Sequence, residues 1–408
     1  MNIVEIISKK KNGLSLTREE LEFAFNGYLN GTVHDYQMSA LLMAICIKGM
    51  NDTETFDLVD IFIKSGDVLD LSNIEGIKVD KHSTGGIGDK VTLIIGPIVA
   101  SCGVIVPKMS GRGLGITGGT IDKLESIKGF KVSLTDDEFI KQISDIGFAV
   151  TGQTKNLCPL DKVIYALRDV TGTTDSIPLI ASSIMSKKIA GGADKIFIDI
   201  KCGNGAMMKD MDSALKLKDV MERIGAFYNR ETICEVSDMN TPLGSNIGNS
   251  LEVIEAMDVL KGKTGKLRKL CIKISSTMIS KSKGVSYAEA EKEVLEVLES
   301  GKAYNKFLEF VKYQGGDISS LTVSKHKQEI KSQKEGVVDA ISAQEIGKLS
   351  CVLGAGRESK EDTIDYTVGI TLEKLVGDKV TFGDTLFTLY KKDDKDIEIN
   401  VDDYYTIN

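Results

Sequence analysis

Two glycine- and hydroxyl-rich loops, residues 81–89 and 108–120, each follow a short apolar run and precede a helix-like one. Where a strand turns into a helix through such a loop, backbone N–H groups converge, and the helix adds unpaired donors and the positive end of its dipole. The pattern restricts the fold to strand–loop–helix units and makes each loop a candidate anion cradle. Lys81 and Lys108 stand at the two mouths as point charges, while Ser83, Thr92, Ser110 and Thr120 bring hydroxyl donors. Glycines in one connecting loop often do no more than make a turn. The same lysine-then-hydroxyl order in two successive loops favours phosphate.

The surrounding chain supports this reading. With 408 residues and 42% hydrophobic content it can bury two or three domain cores. Its start reads as helices: Thr17-x-x-Glu20 is a capping box ahead of Leu21, Phe25, Tyr28 and Leu29, and further stripes run through 36–48 and up to Gly66. From Gly76 short apolar runs alternate with helical ones: 77–80 then 91–102, and 104–107 then 119–127. Two more strands are predicted at 195–200 and 232–236, followed by helices at 208–228 and 249–260. The tail carries short β runs around turns at 377–386. The expected fold is α/β with a separate all-helical domain: a mixed or parallel sheet flanked by helices, plus a small β-rich C-terminal domain. The expected boundaries are 1–66, 67–330 and 336–408.

Several function classes fall away. No apolar run reaches the roughly 18–20 residues of a membrane span, and the first residues lack a charged-then-apolar signal pattern, so a cytoplasmic protein without a membrane partner is expected. Seven scattered cysteines, never in a C-x-x-C pair, argue against a disulfide framework or a zinc site. A net charge of −8 and 6% aromatic content provide neither a basic stripe nor a stacking platform, which argues against nucleic acid. A nicotinamide cofactor needs more care, because residues 113–118 satisfy G-x-G-x-x-G, with Asp136 and Asp137 near the spacing of a ribose-binding carboxylate. The fingerprint's first glycine should close the turn directly after the first strand of the domain. Here residues 109–112 intervene, and another strand–loop–helix unit comes earlier.

The segment Ser110-Gly-Arg-Gly-Leu-Gly-Ile-Thr-Gly-Gly-Thr-Ile-Asp-Lys-Leu-Glu125 resembles the signature of the thymidine/pyrimidine-nucleoside phosphorylases. Asp80-Lys-His-Ser-Thr-Gly-Gly-Ile-Gly-Asp89, Tyr165-Ala-Leu-Arg-Asp169, residues 176–188 and Val236-Ser-Asp-Met239 resemble the same family, so the likeness runs along most of the chain. It implies reversible phosphorolysis: pyrimidine nucleoside plus inorganic phosphate, the co-substrate, gives free base and a pentose 1-phosphate, with no organic cofactor. It further implies a homodimer, a helical domain that residues 160–192 join in space, and an active site in the cleft between the helical and α/β domains. Lys81, Ser83, Thr92, Lys108, Ser110 and Thr120 would hold phosphate, and Arg168, Ser183 and Lys187 the pyrimidine edge. The resemblance also implies a potassium site on Gly88, Lys90, Leu243, Asn246 and Glu255, although Lys90 replaces a residue often seen as Thr.

These residue types suit the chemistry. Phosphate attacks the anomeric carbon while the base leaves as an anion, so positive charge grows on the sugar and negative charge on the pyrimidine. Arg168 and Lys187 would stabilise the leaving charge, and His82 could donate a hydrogen bond or proton to a pyrimidine oxygen. Ile116, where many members of the family have His, and Cys202 and Asn204, in a Lys-x-Gly-x-Gly-like turn, depart from the family pattern. Lys108 favours broad acceptance of uridine, thymidine and deoxyuridine. The alternatives are a strict thymidine phosphorylase, a phosphoribosyltransferase of the same fold, and a catalytically silent binding protein.

Overall fold

The computed structural model describes every residue except Leu114, Gly115, Thr117, Lys155 and 358–361. It consists of two compact units, one of Met1–Glu75, Thr154–Ile198 and Met211–Glu235, the other of Gly76–Gln153, Asp199–Asp210 and Val236–Asn408.

The first unit opens with helices α1 (Ile3–Lys11), α2 (Arg18–Leu29), α3 (Asp35–Lys48) and α4 (Asp52–Lys64). Thr17 and Glu20 cap α2 reciprocally, and Asn51 and Glu54 do the same for α4. Each pair satisfies donors that the first helical turn leaves orphaned. Leu21, Phe25, Leu41, Leu42, Ile45, Leu58 and Phe62 meet in one core, which Leu160, Ile164 and Leu179 also enter.

The second unit begins with β1 (Val79–Ser83), α5 (Val91–Ser101), β2 (Val106–Ser110), α6 (Thr120–Glu125), α7 (Asp136–Ile146) and β3 (Phe148–Gly152). The chain then supplies α8 (Pro159–Thr171) and α9 (Ile177–Ala190) to the first unit, followed by β4 (Lys195–Cys202), α10 (Met211–Phe227) and β5 (Glu231–Asp238). β2 and β3 pair in parallel, and β1, β4 and β5 form a sheet in that order. α5 is apolar on every side, as a fully buried helix must be, and packs among α11 (Asn249–Leu260), α12 (Lys266–Lys283), α13 (Tyr287–Glu299) and α14 (Lys302–Tyr313).

The remaining elements are β6 (Asn246–Ile247), β7 (His326–Lys331), β8 (Gly336–Ile341), α15 (Ala343–Val352), β9 (Gly369–Leu372), β10 (Lys379–Val380), β11 (Thr385–Lys391) and β12 (Tyr405–Ile407). They form antiparallel sheets ordered β10-β8-β12 and β6-β9-β11-β7, so a short strand from the α/β region completes the C-terminal sheet. The fold class is the one expected: a helical domain, an α/β domain with parallel pairing and a β-rich C-terminal domain.

Two details differ from the sequence reading. β3 and its helix α7 form a strand–helix pair that the alternation pattern missed. Asp136 and Asp137 sit in the first turn of α7, after its N-cap Thr135, where carboxylates complement the helix dipole. They are helix-start residues, which removes the support for a ribose-binding carboxylate. Within the G-x-G-x-x-G string, Leu114, Gly115 and Thr117 lie outside the described residues.

Candidate active site

In the second unit the first loop is built around Asp89. Its carboxylate accepts a short hydrogen bond from Ser83 Oγ and another from Val91 N at 3.2 Å, which ties the end of β1 to the first turn of α5. Burial alone would raise its pKa, but the ammonium groups of Lys201 and Lys81 and the Ser83 hydroxyl outweigh that and hold it well below the usual carboxylate range. Lys201, buried on β4, is fixed by Asp199 at 2.6 Å and donates to Ser237 Oγ on β5 at 3.0 Å. Burial disfavours its charge, yet Asp89 and Asp199 keep its pKa raised.

Lys81 is 2% exposed, and no described residue accepts a hydrogen bond from its Nζ. A buried ammonium with unspent donors fits an anion arriving at this point. Strand alternation puts Ser83 on the Lys81 face of β1 and half-buried His82 on the opposite one. Lys108 is buried on β2, with Nζ 2.8 Å from Met109 O and 3.9 Å from Asp80. Thr92 lies buried in the first turn of α5, half-buried Ser110 ends β2, and half-buried Thr120 begins α6. Asp122 gathers the second loop, accepting from Gly113 N at 2.6 Å and Gly119 N at 3.3 Å. A Cβ on Gly119 would lie 2.2 Å from Gly113 N, so this crossing requires glycine. Ile116 packs against the C-terminal core, which also takes in Ile87 of the first loop.

In the first unit α8 and α9 bring the base-binding candidates together. Asp161, Tyr165 and Arg168 recur at i, i+4 and i+7 on α8, and Ser183 and Lys187 at i and i+4 on α9, so each set shares one helix face. Lys187 Nζ is 2.5 Å from Asp161 Oδ2 and 2.9 Å from Ser183 Oγ. Arg168 is buried, and its guanidinium donates to the carbonyls of Thr173 at 2.9 Å, Thr174 at 2.9 Å and Leu179 at 3.2 Å. Burial pulls its pKa below the ordinary arginine value. The Tyr165 ring lies 5.8 Å from the Arg168 guanidinium and 6.0 Å from Lys187 Nζ. Three of the five donor N–H groups are thus spent on holding the arginine rigid.

Sequence reasoning missed Asp161, Asp199, Lys201 and Ser237. Asp161 could have been found from its i, i+4, i+7 stripe with Tyr165 and Arg168. Asp199 and Lys201 show as charges at alternate positions in the otherwise apolar stretch after Lys195.

Lys90 is the N-cap residue of α5, with its side chain fully buried. Its Nζ donates to Leu243 O at 2.7 Å, Asn246 O at 2.8 Å and Glu255 Oε2 at 2.7 Å. Gly88 O accepts from Lys90 N at 2.9 Å. Three of the acceptors expected around a potassium ion are therefore held by this chain's own ammonium, and with Lys90 among the set it does not fit a bound metal cation.

The chain matches three family models in succession: a glycosyl transferase family helical-bundle domain over 4–66, a glycosyl transferase family a/b domain over 75–304, and a pyrimidine nucleoside phosphorylase C-terminal domain over 337–407. The fold is thus that of the glycosyl transferase family. Curated proteins named pyrimidine-nucleoside phosphorylase are similar over nearly the whole chain. The Bacillus subtilis protein is 53% identical over 96% of this chain and 92% of its own length, and the Staphylococcus haemolyticus protein 51% over 99% and 94%. The chain belongs to the pyrimidine-nucleoside phosphorylase family. Among solved structures, anthranilate phosphoribosyltransferase from Thermus thermophilus has a similar fold, with a TM-score of 0.60 at 17% identity over 76% of this chain and 99% of that one.

Proposed function

We propose that this protein catalyses the phosphorolysis of pyrimidine nucleosides, uridine, thymidine and deoxyuridine among them, to free base and pentose 1-phosphate. The observation that carries this reading is identity of about half over almost the full chain with proteins named for that activity. Strict thymidine specificity, phosphoribosyl transfer and a silent binding role have no comparable support.

In this mechanism a phosphate oxygen forms a bond to C1′ of the sugar as the C1′–N1 bond breaks, and N1 keeps the electron pair. Lys81 gives the incoming phosphate its unspent donors, and Ser83, Thr92, Lys108, Ser110 and Thr120 complete the cradle. Asp89, Asp199 and Lys201 are positioning residues that hold the loop in shape. Arg168 and Lys187 stabilise the charge growing on the base, and Ser183 hydrogen-bonds the ring. His82 donates a hydrogen bond to a pyrimidine oxygen, and the base anion takes up the proton that the attacking hydrogen phosphate gives up. Because Arg168 is anchored through three carbonyls and Lys187 through Asp161, neither must reorganise as charge develops.

The active form is a homodimer. On α3, Tyr36 and Ile47 are 71% and 70% exposed on the stripe that also carries Met43. Neighbouring α8 leaves Val163 and Val170 bare, the latter 75% exposed. A second copy of this chain would cover such a patch. No described helix is long and apolar enough to cross a membrane, and all seven cysteines are free thiols, which supports a reducing, cytoplasmic setting.

The test is to incubate the protein with uridine or thymidine, with and without inorganic phosphate, and follow the free base by chromatography. Base release that requires phosphate is expected; phosphate-independent release, or none, would sink the reading. Arg168→Ala and Lys187→Ala should each lower kcat by about 100-fold or more, and an unchanged rate would remove that residue from the mechanism.

A further inference from the structure

The geometry points to Lys90 as a built-in replacement for a monovalent cation, one that makes the fold and its activity independent of potassium. An ammonium group has three N–H donors, and here each finds one acceptor, at 2.7, 2.8 and 2.7 Å. The acceptor set, two backbone carbonyls and a carboxylate, is an all-oxygen shell of the kind a hard monovalent cation selects. An ammonium group is similar to a potassium ion in size and in its preference for oxygen. Delivered on a covalent tether, it needs no ion from solution.

The shell is built around that group. Glu255 accepts from Ser245 N at 2.9 Å, Ser245 Oγ at 2.8 Å and Asn246 N at 2.9 Å, besides the Lys90 ammonium. Burial would raise its pKa, but Lys90 and these N–H groups lower it to about 2. Gly244 has φ +82°, and a Cβ there would lie 2.9 Å from Lys90 Nζ and 2.5 Å from Glu255 Oε2, so the turn closes on the ammonium only with glycine. At Gly88, φ +75°, a Cβ would lie 2.7 Å from Leu243 O.

The position gives the tether its consequence. Lys90 directly follows Asp89, which organises the phosphate loop, while Asn246 begins β6, which pairs with β9 of the C-terminal sheet. One ammonium thus fastens the end of the phosphate loop to the loop and helix that carry Asn246 and Glu255. A free ion would do this only when bound, whereas a covalent one is always present, so this chain loses no occupancy when potassium is scarce.

The activity arm of the test rests on the phosphorolysis reading; the stability arm does not. Tm and kcat/KM are measured for the full chain in choline chloride, sodium chloride and potassium chloride at equal ionic strength. For the natural sequence Tm should be the same in all three salts and kcat/KM should change by less than about twofold. A potassium-specific rise in either quantity overturns the inference. Lys90→Thr, which removes the ammonium and leaves the oxygen shell, should lower Tm in choline chloride by roughly 5 °C or more and recover saturably with potassium chloride. A Lys90→Thr protein whose Tm ignores potassium also overturns it. If that variant does not fold, the salt series on the natural sequence still decides.

Discussion

Lys81 sets function against stability within a single side chain. Its ammonium is buried with no hydrogen-bond acceptor among the described residues, an arrangement that costs free energy in the absence of an anion. Lys201 is the stronger charge partner of Asp89, so replacing Lys81 with an apolar group of similar length should relieve that cost and remove the proposed phosphate contact. Lys81→Met is therefore expected to raise Tm while raising the KM for phosphate by about 10-fold or more, with the nucleoside KM little changed. Steady-state kinetics with each substrate varied in turn, alongside a thermal melt, checks both halves; an unchanged phosphate KM would take Lys81 out of the cradle. Lys187 is the contrasting case, since its ammonium already has Asp161 and Ser183 as partners. Lysine, serine and glycine in the loops were legible as anion-binding types. Which lysine keeps free donors was not, because that depends on where Asp80, Asp161 and Asp199 come to lie.

Among the elements, α5 and β3 show how packing overrides propensity. Gly96 lies within α5, where alanine would be a better helix former by roughly 1 kcal/mol. A Cβ at that position would be 2.3 Å from the Phe148 ring of β3, far inside contact distance. Gly96→Ala should therefore destabilise by about 1–3 kcal/mol, and combining it with Phe148→Leu should recover part of the loss. Urea unfolding of the two single variants and the double one measures this, and a stabilised Gly96→Ala would show that the helix can move away from β3. α5 was legible from its long apolar run after the glycine-rich loop. β3 was not, because its five residues mix Phe148, Ala149, Val150, Thr151 and Gly152 without an alternating pattern. Its place comes from pairing with β2 at Val106↔Phe148. The stripe of Asp161, Tyr165 and Arg168 was readable in principle from helical periodicity, but its partners Ser183 and Lys187 lie on another helix.

For the whole molecule, the exposed stripe of Tyr36, Met43 and Ile47, with Val163 and Val170 on neighbouring α8, is the feature on which the proposed dimer rests. The double variant Ile47→Glu/Val170→Glu should shift the protein from dimer to monomer in size-exclusion chromatography with light scattering, because two desolvated carboxylates in an apolar contact cost several kcal/mol. A natural protein that already runs as a monomer would remove the dimer from the proposal. By itself the sequence determined the class of fold, through strand–helix alternation and capping boxes, and the family, through motifs that local glycine and lysine spacing preserves. Only the tertiary structure decided the fate of individual charges. The acceptors around Lys90 lie 153 to 165 residues away along the chain, and no periodicity can report such a distance. Whether a lysine binds an anion, pairs with a carboxylate or fills a cation shell depends on the oxygens that the folded chain brings around it.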